Sequence, residues 1–417
     1  MKTRVTRREH SNKEISFLRA ERVEVGIDVH KRTYSVTLWS EQRQAVISRW
    51  TQPADPAALL RSLEPYRRRV NRVVYEAGPT GYALVRALRA EGFRADVIAP
   101  SRTPQASGAE AKSDRLDSRK LAMWSAKGLL RAVRVPTMEE EGDRQVFRAR
   151  DDVVAKRRRI KQQIKSFLLQ HGIDEPDGLR TWARRGVEAL RKMELTAQLR
   201  FSLDLLLDDL EHYDAHLKKA DAALKALAAT ERHKPSCEAL QSVVGVGPVT
   251  AMAIRTELIA PERFDDGRQV ASMAGLAPLV SRTGQTVREG ALMKCGNGRL
   301  RKAVIEAAWR WVAKDPWAAQ AFGRLVGNTG DKKKAIAGMA RRLVIILWRI
   351  SVTGQPYRPR PIEEPTTPGP PETKTKTRRP PARPNRLRKE TPSAPRRRPL
   401  SAPRPGWPAG APAGRQK

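Results

Sequence analysis

The chain has 417 residues, enough for two or three domains, and its 81 Lys and Arg against 45 Asp and Glu give a formal charge of +36. Such a basic chain favours nucleic acid as its partner, because a polyanion neutralises the excess charge. Its two cysteines exclude a disulfide scaffold and fit a reducing cytoplasm, and its longest apolar run, Leu343–Trp348, is far shorter than the roughly 20 residues of a membrane span.

The N-terminal part of the chain alternates strand and helix signals. Four runs rich in β-branched and aromatic residues predict strands, namely Val23–Asp28, Thr33–Trp39, Arg72–Glu76 and Ala95–Ala99. The first two flank a short turn and predict a hairpin; the helical stretch Gly81–Glu91 separates the last two, and a further helix starts near Ser113. Residues 23–135, which follow a basic lead of residues 1–22, are therefore predicted to form a mixed α/β sheet covered by helices.

Four acidic residues of this domain have positions that a metal site needs. Asp28 and Glu76 end predicted strands, where α/β sheets usually present functional groups, and Asp114 and Asp117 share a helix face because they are three residues apart. Carboxylate oxygens suit Mg²⁺, and two ions ~3.5–4 Å apart would stabilise both oxygens exchanged in a phosphodiester displacement. Each acid alone also has a structural explanation, as a turn residue, a helix N-cap or an ion-pair partner.

The middle of the chain, residues 136–235, is predicted to be helical. Apolar residues recur at every seventh position from Val146 to Phe167, and they alternate by three and four positions through Leu203–Leu227. An apolar seam held for more than three heptads specifies a coiled coil. The sequence leaves open whether the partner helix belongs to the same chain or to another subunit.

Residues 236–353 are predicted to form a small, mostly helical domain whose short helices are joined by glycine-rich turns. In Leu240–Leu258 the apolar spacing around Gly245 and Gly247 suits a helix–hairpin–helix unit, whose glycines let backbone N–H groups approach a phosphate. A pair of helices that only packs is the alternative interpretation.

Basic residues cluster around a second group of glycines. Four of them flank Gly296-Asn297-Gly298, namely Lys294, Arg299, Arg301 and Lys302. The glycines favour close approach of a phosphate backbone, so these cations are predicted to bind nucleic acid, although a solvated face would show the same charge run.

The C-terminal tail, residues 354–417, has a different composition. It holds 17 of the 30 prolines and carries a net charge of +12 from 16 Lys and Arg and four Glu. Proline at this density blocks helix and sheet, so the tail is predicted to be disordered. It would serve either as a solubilising extension or for non-specific phosphate binding.

Three strings in the N-terminal domain carry a family resemblance. GIDVHK (Gly26–Lys31), YEAGPTGY (Tyr75–Tyr82) and KSDRLDSRKLA (Lys112–Ala122) resemble the Asp-Glu-Asp-Asp transposases of bacterial insertion sequences, relatives of the Piv DNA invertases. The resemblance implies a RuvC-like N-terminal domain of ribonuclease H fold. It also implies that the four acids named above form the metal site.

The stretch Ala274–Val312 resembles the C-terminal transposase domain of the same family. In that family a serine directly before a glycine is implicated as a nucleophile that acts with the acidic site. Gly284 matches the glycine, so the matching residue here is Thr283, which keeps the hydroxyl but adds a methyl group. Ser281, two residues earlier, is the second candidate.

The resemblance implies a DNA transposase or recombinase of the bacterial cytoplasm. It would bind Mg²⁺, cleave and exchange strands at element ends and target DNA, and use an RNA that bridges the two DNAs. The predicted coiled coil suggests a homodimer or a larger synaptic assembly. Two other functions remain open: a RuvC-like junction nuclease that hydrolyses with water, and an inactive nucleic-acid-binding relic of a transposase.

Overall fold

The computed structural model describes residues 21–100, 114–283, 286–293 and 295–361, apart from the side chains of residues 114–116, 280–289 and 291. The chain divides into two units, Met1–Ile362 and Glu363–Lys417. The second unit, most of the predicted basic lead, and the residues Gly284 and Lys294 lie outside the described residues.

A six-stranded mixed sheet forms the centre of the N-terminal domain. Its strands are β1 (Val23–Val29), β2 (Thr33–Ser40), β3 (Ala45–Pro53), β4 (Val70–Glu76), β5 (Ala95–Ile98) and β6 (Ala132–Val133), in the spatial order β3-β2-β1-β4-β5-β6. The first three strands form an antiparallel meander, β4 pairs parallel to β1, β5 pairs parallel to β4, and β6 is antiparallel to β5. The predicted α/β sheet and its first hairpin are confirmed.

Helices cover both faces of this sheet. One face packs against α1 (Pro56–Leu63) and α2 (Ala83–Ala90) through a core that includes Ile27 and Tyr75. The opposite face packs against α3 (Asp114–Ala126), whose Leu121 clusters with Val74 of β4. Since successive side chains of a strand point to opposite faces, the even-numbered residues of β1 and β4 face α3.

The sequence pattern does not predict β3, β6 or α1. β3 is an edge strand that carries polar residues such as Arg49 and Gln52 among its apolar ones, and β6 has only two residues. α1 begins with a standard signal, because the Asp55 carboxylate accepts hydrogen bonds from two backbone N–H groups and Pro56 occupies the first turn. This signal was available in the sequence.

Two long helices, α4 (Met138–Gln170) and α6 (Ala197–Ala228), pack against each other in the same chain. α4 starts with a capping box, in which Thr137 and Glu140 satisfy each other's backbone N–H groups. The ion pairs Arg150–Asp221 and Arg157–Asp214 show that the two helices run antiparallel. The short helix α5 (Arg184–Lys192) lies between them in sequence. The partner that the sequence leaves open is thus found within the chain.

The expected seam in α4 is partly wrong. Of the residues seven apart, only Ile160 is buried, whereas Val146, Val153 and Phe167 are half-buried. The other buried apolar residues of α4 are Phe147, Ile164 and Leu168. A helix with 3.6 residues per turn drifts away from a strict seven-residue repeat, so the buried stripe shifts along the helix.

The C-terminal domain is mostly helical, as predicted. Its helices are α7 (Lys234–Gln241), α8 (Pro248–Leu258), α9 (Gly267–Met273), α10 (Gly298–Lys314), α11 (Pro316–Thr329) and α12 (Lys332–Thr353). They enclose one core, in which Trp311 and Leu347 are fully buried. The domain also holds a β-hairpin that the sequence pattern does not predict, formed by β7 (Pro278–Thr283) and β8 (Thr286–Leu292).

The predicted start of the disordered tail at residue 354 is too early. α12 ends at Thr353, but the chain then packs back onto the C-terminal domain. The Tyr357 hydroxyl donates to Asp315 Oδ2 at 3.3 Å, and Arg360 lies over the ring of Trp317. Proline density alone does not reveal this contact, because it depends on Asp315 and Trp317, which lie more than 40 residues earlier in the sequence. No described helix is long and apolar enough to cross a membrane.

Candidate active site

The framework of the site is a close contact between α3 and β1. A Cβ atom built on Gly26 would lie 2.1 Å from the Ser118 carbonyl oxygen and 2.6 Å from the Ala122 nitrogen. Only glycine therefore allows the helix backbone to approach the strand this closely. The sequence string GIDVHK gives no sign of this packing role, because the partner helix is about 90 residues further along.

Two hydrogen bonds fix the direction of α3 across the sheet. Ser118 Oγ lies 2.9 Å from Thr37 Oγ1, and Thr37 is the residue of β2 that pairs with Gly26. Seven residues later, Ser125 Oγ donates to Glu24 Oε2 at 2.6 Å. The helix therefore runs antiparallel to β1, and its first turn lies at the carboxyl end of that strand.

Asp28 and Glu76 occupy neighbouring positions at the carboxyl ends of β1 and β4. The two strands are parallel, and the pair before them in register is Ile27 with Tyr75. Both acids are even-numbered residues and face α3. The structure thus brings together two of the four predicted acids, from positions 48 residues apart in the sequence.

The remaining two acids lie in the first turn of α3. Asp114 precedes Ser118 by four positions, which is about 6 Å along the helix. Asp28 follows Gly26 by two positions, which is about 6.6 Å along the strand. Because Ser118 lies against Gly26, the backbone of Asp114 is level with that of Asp28 along the strand direction. Asp117 likewise precedes Leu121 by four positions, and Leu121 clusters with Val74, which lies two positions before Glu76. The backbone of Asp117 is therefore level with that of Glu76. The Asp117 side chain is exposed. The side chain of Asp114 lies outside the described residues.

The chemistry of these residues fits a divalent cation. Carboxylates at two adjacent strand ends and on the overlying helix turn are oxygen donors of the kind that Mg²⁺ takes. Within the described side chains, which do not include Asp114, no group of three or more metal-ligating residues converges. The complete set of four acids as metal ligands therefore stays a prediction.

His30 is a neighbour of the site that the sequence did not single out. Its Nε2 lies 3.2 Å from Asp28 Oδ2, and its side chain is about half exposed. The residue belongs to the string GIDVHK, so its closeness to Asp28 in sequence was the available signal. A histidine here can hold the Asp28 carboxylate in one orientation.

The two candidate nucleophiles lie on the β7–β8 hairpin. Thr283 is the last residue of β7 and pairs with Thr286, and Ser281 pairs with Arg288. Ser281 and Thr283 are two residues apart on this strand, and their side chains lie outside the described part of the structure. Thr283 therefore lies at the end of a strand, directly before residues 284 and 285, which lie outside the described residues.

The predicted basic cluster has internal partners. Arg299 forms ion pairs with Asp151 and Asp152 of α4, and Lys302 forms one with Asp151. Arg301 donates to backbone carbonyl groups of the C-terminal domain. These contacts account for three of the four cations without a nucleic acid, and their binding role stays a prediction; Lys294 lies outside the described residues.

The glycines of the predicted helix–hairpin–helix have different surroundings. Gly245 has φ +94°, and a Cβ atom there would lie 2.8 Å from the Trp311 backbone nitrogen, so the tight packing of this turn against α10 requires glycine. Gly247 precedes α8 as its N-cap, and a Cβ atom there would meet nothing within 4 Å. Packing therefore explains Gly245, whereas phosphate binding at Gly247 stays a prediction.

Known families and proteins match both domains. Residues 25–173 match the DEDD transposase family of IS110, and residues 237–323 match the family described as transposase IS116/IS110/IS902. The Sinorhizobium fredii protein y4rJ, named as a transposase, is 32% identical over 301 residues, which cover 66% of this chain and 76% of the relative. The transposase for insertion sequence element IS1111A of Coxiella burnetii is 24% identical over 372 residues, 84% of this chain and 94% of the relative.

These similarities define the class as a transposase of an insertion sequence, an enzyme that cleaves and recombines DNA. Within that class, the chain belongs to the IS116/IS110/IS902 transposase family. The predicted resemblance to transposases of the Asp-Glu-Asp-Asp type is confirmed. The kinship with Piv invertases and the hydroxyl nucleophile stay predictions.

Proposed function

We propose that this transposase cleaves and exchanges DNA strands with a Mg²⁺-binding acidic site and a hydroxyl nucleophile. The observation that carries the proposal is the adjacent position of Asp28 and Glu76 at the ends of parallel strands, beneath the first turn of α3. This is the arrangement in which separate strings of a sequence supply carboxylates to one site. Asp114 and Asp117 would complete the donor set.

The sheet supports a ribonuclease H-like, RuvC-like assignment of the domain. An antiparallel meander of three strands is followed by two strands parallel to the first, with helices on both faces. Asp28 is the penultimate residue of the first strand, and Glu76 is the last residue of the fourth. Mg²⁺, when bound by the four acids, would neutralise negative charge that develops on a phosphodiester. His30 would orient the Asp28 carboxylate.

The hydroxyl group of Thr283 is the proposed nucleophile, with Ser281 as the second candidate. Its oxygen would form a bond to the phosphorus of the scissile phosphodiester while the bond from that phosphorus to the leaving sugar oxygen breaks. The proton lost by the hydroxyl balances the proton gained by the leaving sugar oxygen. The enzyme would hold the cut strand covalently until exchange, so no bond energy is lost to water.

The partners are proposed from charge and family. A chain of +36 suits DNA at element ends and target, and it also suits an RNA that bridges the two DNAs. A homodimer or a larger synaptic assembly stays a prediction. The seam that suggested it packs α4 against α6 within the chain, so a subunit interface would need another surface.

The experiment that tests the proposal is a search for covalent protein–DNA product. Purified protein is incubated with labelled DNA that carries the element ends, with the flanking RNA co-expressed, and then denatured and run on a gel. We expect labelled protein from wild type and from Thr283→Ser, and none from Thr283→Ala. The matched control is Thr286→Ala, the same residue type directly across the hairpin, which should keep the product.

Other outcomes assign the chemistry differently. Loss of labelled protein in Ser281→Ala with retention in Thr283→Ala would make Ser281 the nucleophile. Cleavage that persists in both variants without labelled protein would identify hydrolysis by water, as in a junction nuclease. Binding without any cleavage by the wild type would identify a relic.

A further inference from the structure

The two ends of the β7–β8 hairpin lie side by side on the C-terminal domain. The Met293 backbone N–H donates to the Ala277 carbonyl at 3.0 Å, just outside the last strand pair. The Asn297 N–H donates to the Met273 carbonyl at 2.7 Å. We call residues 273–277, 293 and 295–297 the hairpin root, since they join the hairpin to α9 and α10.

Arg301 of α10 links both sides of the hairpin root. Its Nε donates to the Ala274 carbonyl at 3.2 Å, before β7, and its Nη2 donates to the Cys295 carbonyl at 3.0 Å and the Met293 carbonyl at 3.4 Å, after β8. These carbonyl groups lie outside any helix or sheet ladder and need donors from elsewhere. One guanidinium group thus satisfies acceptors on two segments 19 to 21 residues apart.

Two glycines make room for this arrangement. Gly275 has φ +67°, and a Cβ atom there would lie 1.9 Å from Arg301 Nη2 and 2.6 Å from the Cys295 carbonyl oxygen. Gly296 has φ +104°, and a Cβ atom there would lie 2.6 Å from the Gly275 nitrogen. The two backbones therefore touch, and any side chain would separate them.

We propose that Arg301 is a positioning residue, which fixes the hairpin root and thereby the position of β7, the strand that contains the proposed nucleophile. The proposal rests on the proposed function, in which a hydroxyl of β7 is the nucleophile. In this proposal Gly275, Gly296 and Arg301 support the hairpin root instead of binding a phosphate. A misplacement of the nucleophile by about 1 Å lowers the rate of a reaction roughly 100-fold. A change in the hairpin root is therefore expected to lower the rate of cleavage.

A positioning role and a phosphate contact differ in what they require of residue 301. A phosphate contact needs positive charge, which lysine also supplies. The root needs several N–H donors in a fixed plane, which only the guanidinium group supplies. Arg301→Lys therefore separates the two roles with one conservative change. Arg310→Lys, at an exposed position of the same helix, is the matched control.

Three measurements on the full chain test the proposal. Hydrogen exchange of the β7 and β8 amides should become about tenfold faster or more in Arg301→Lys, because the root loses hydrogen bonds. Formation of the covalent product at saturating element-end DNA should fall about 10- to 100-fold. DNA affinity and its salt dependence should match wild type, and Arg310→Lys should match wild type in all three measurements.

Two results would overturn the proposal. One is unchanged hairpin exchange in Arg301→Lys, together with a salt slope that falls by about one in Arg301→Ala, which marks a phosphate contact. The other is faster exchange with an unchanged rate of cleavage, which separates the root from the chemistry. Failure of the proposed nucleophile is distinguishable, because it would show as labelled product that survives in both Thr283→Ala and Ser281→Ala while the exchange result stands.

Discussion

The N-terminal acidic site and the C-terminal basic stretch both come from short strings in the sequence, but the molecule uses them differently. In GIDVHK one residue, Gly26, supports the packing of α3, while its neighbour Asp28 lies at the strand end beside Glu76. In the basic stretch Arg299 and Lys302 pair with acids of α4, and Arg301 supports the backbone. A charged residue in a motif can therefore belong either to the chemistry or to the framework that holds it.

The difference has a physical cause in the backbone. The sheet ladder satisfies the backbone groups of β1 and β4 along the strands, so the ladder itself requires no side-chain donor there. The hairpin root has no such ladder, and its carbonyl groups recruit a side chain. Irregular backbone therefore recruits a motif side chain that a sheet ladder does not require.

The largest effect is expected from neutralising an acid of the site. Asp28→Asn and Glu76→Gln should each lower DNA cleavage about 100-fold or more, because the carboxylate charge that would hold the cation is lost. DNA binding and the unfolding midpoint should change little, because each amide has nearly the same size and shape as the carboxylate that it replaces. Cleavage in Mg²⁺, filter binding and thermal unfolding measure the three properties.

Glu41→Gln is the matched control for these two variants. It removes the same charge from an exposed turn of the same domain, between β2 and β3, and it should leave cleavage unchanged. If Asp28→Asn or Glu76→Gln kept near wild-type cleavage, that acid would not belong to the site. If both variants unfolded the protein, the two acids would be needed for the fold, and the distinction between the acidic site and the framework around Gly26 would be wrong.

The sequence predicts the elements of the N-terminal domain better than their contacts. The runs that form β1, β2, β4 and β5 are apolar enough to identify them, and the acids at their ends are visible. The side-by-side position of Asp28 and Glu76 depends on a parallel register between strands 48 residues apart, which no local pattern contains. Local signals define elements, and long-range packing defines the site.

The C-terminal domain was predicted less well, for the same reason. Its helices follow from apolar spacing, but the partners of its cations are remote. Arg299 pairs with Asp152, 147 residues earlier in the chain. The glycine at 245 looked like a phosphate-binding turn, and its contact with the Trp311 backbone is equally remote. Charge and glycine spacing alone do not distinguish a binding turn from a packed one.

Gly26 offers a test of the framework in the N-terminal domain. Gly26→Ala should lower the free energy of unfolding by about 2–3 kcal/mol, because the new methyl group would overlap the backbone of α3. Gly142→Ala, in α4 where a Cβ atom meets nothing within 4 Å, should instead raise it by about 0.5–1 kcal/mol through helix propensity. Urea unfolding of both variants gives the values, and equal effects of one sign would refute the close contact.

The smallest expected effect is a difference in unfolding free energy between variants of two buried glutamates, one in each domain. Glu24 has neutral partners, Asn71 and Ser125, whereas Glu257 accepts two hydrogen bonds from Arg148, at 2.7 and 2.9 Å, and one from Asn297 at 2.6 Å. The hydrogen bonds to Glu257 raise the pKa of the Arg148 guanidinium. Removing the charge at Glu257 leaves that cation without its counter-ion, which does not happen at Glu24.

We therefore expect Glu257→Gln to cost about 2 kcal/mol of unfolding free energy, less than for a fully buried pair because Arg148 is 37% exposed. Glu24→Gln should change stability by no more than about 1 kcal/mol, since an amide can still bond to Ser125 and Asn71 and no cation is left unpaired. Urea unfolding measures both, and adding Arg148→Met to Glu257→Gln should recover part of the loss. Equal losses at the two glutamates, or no recovery in the double variant, would show that charge pairing does not distinguish the two domains at these positions.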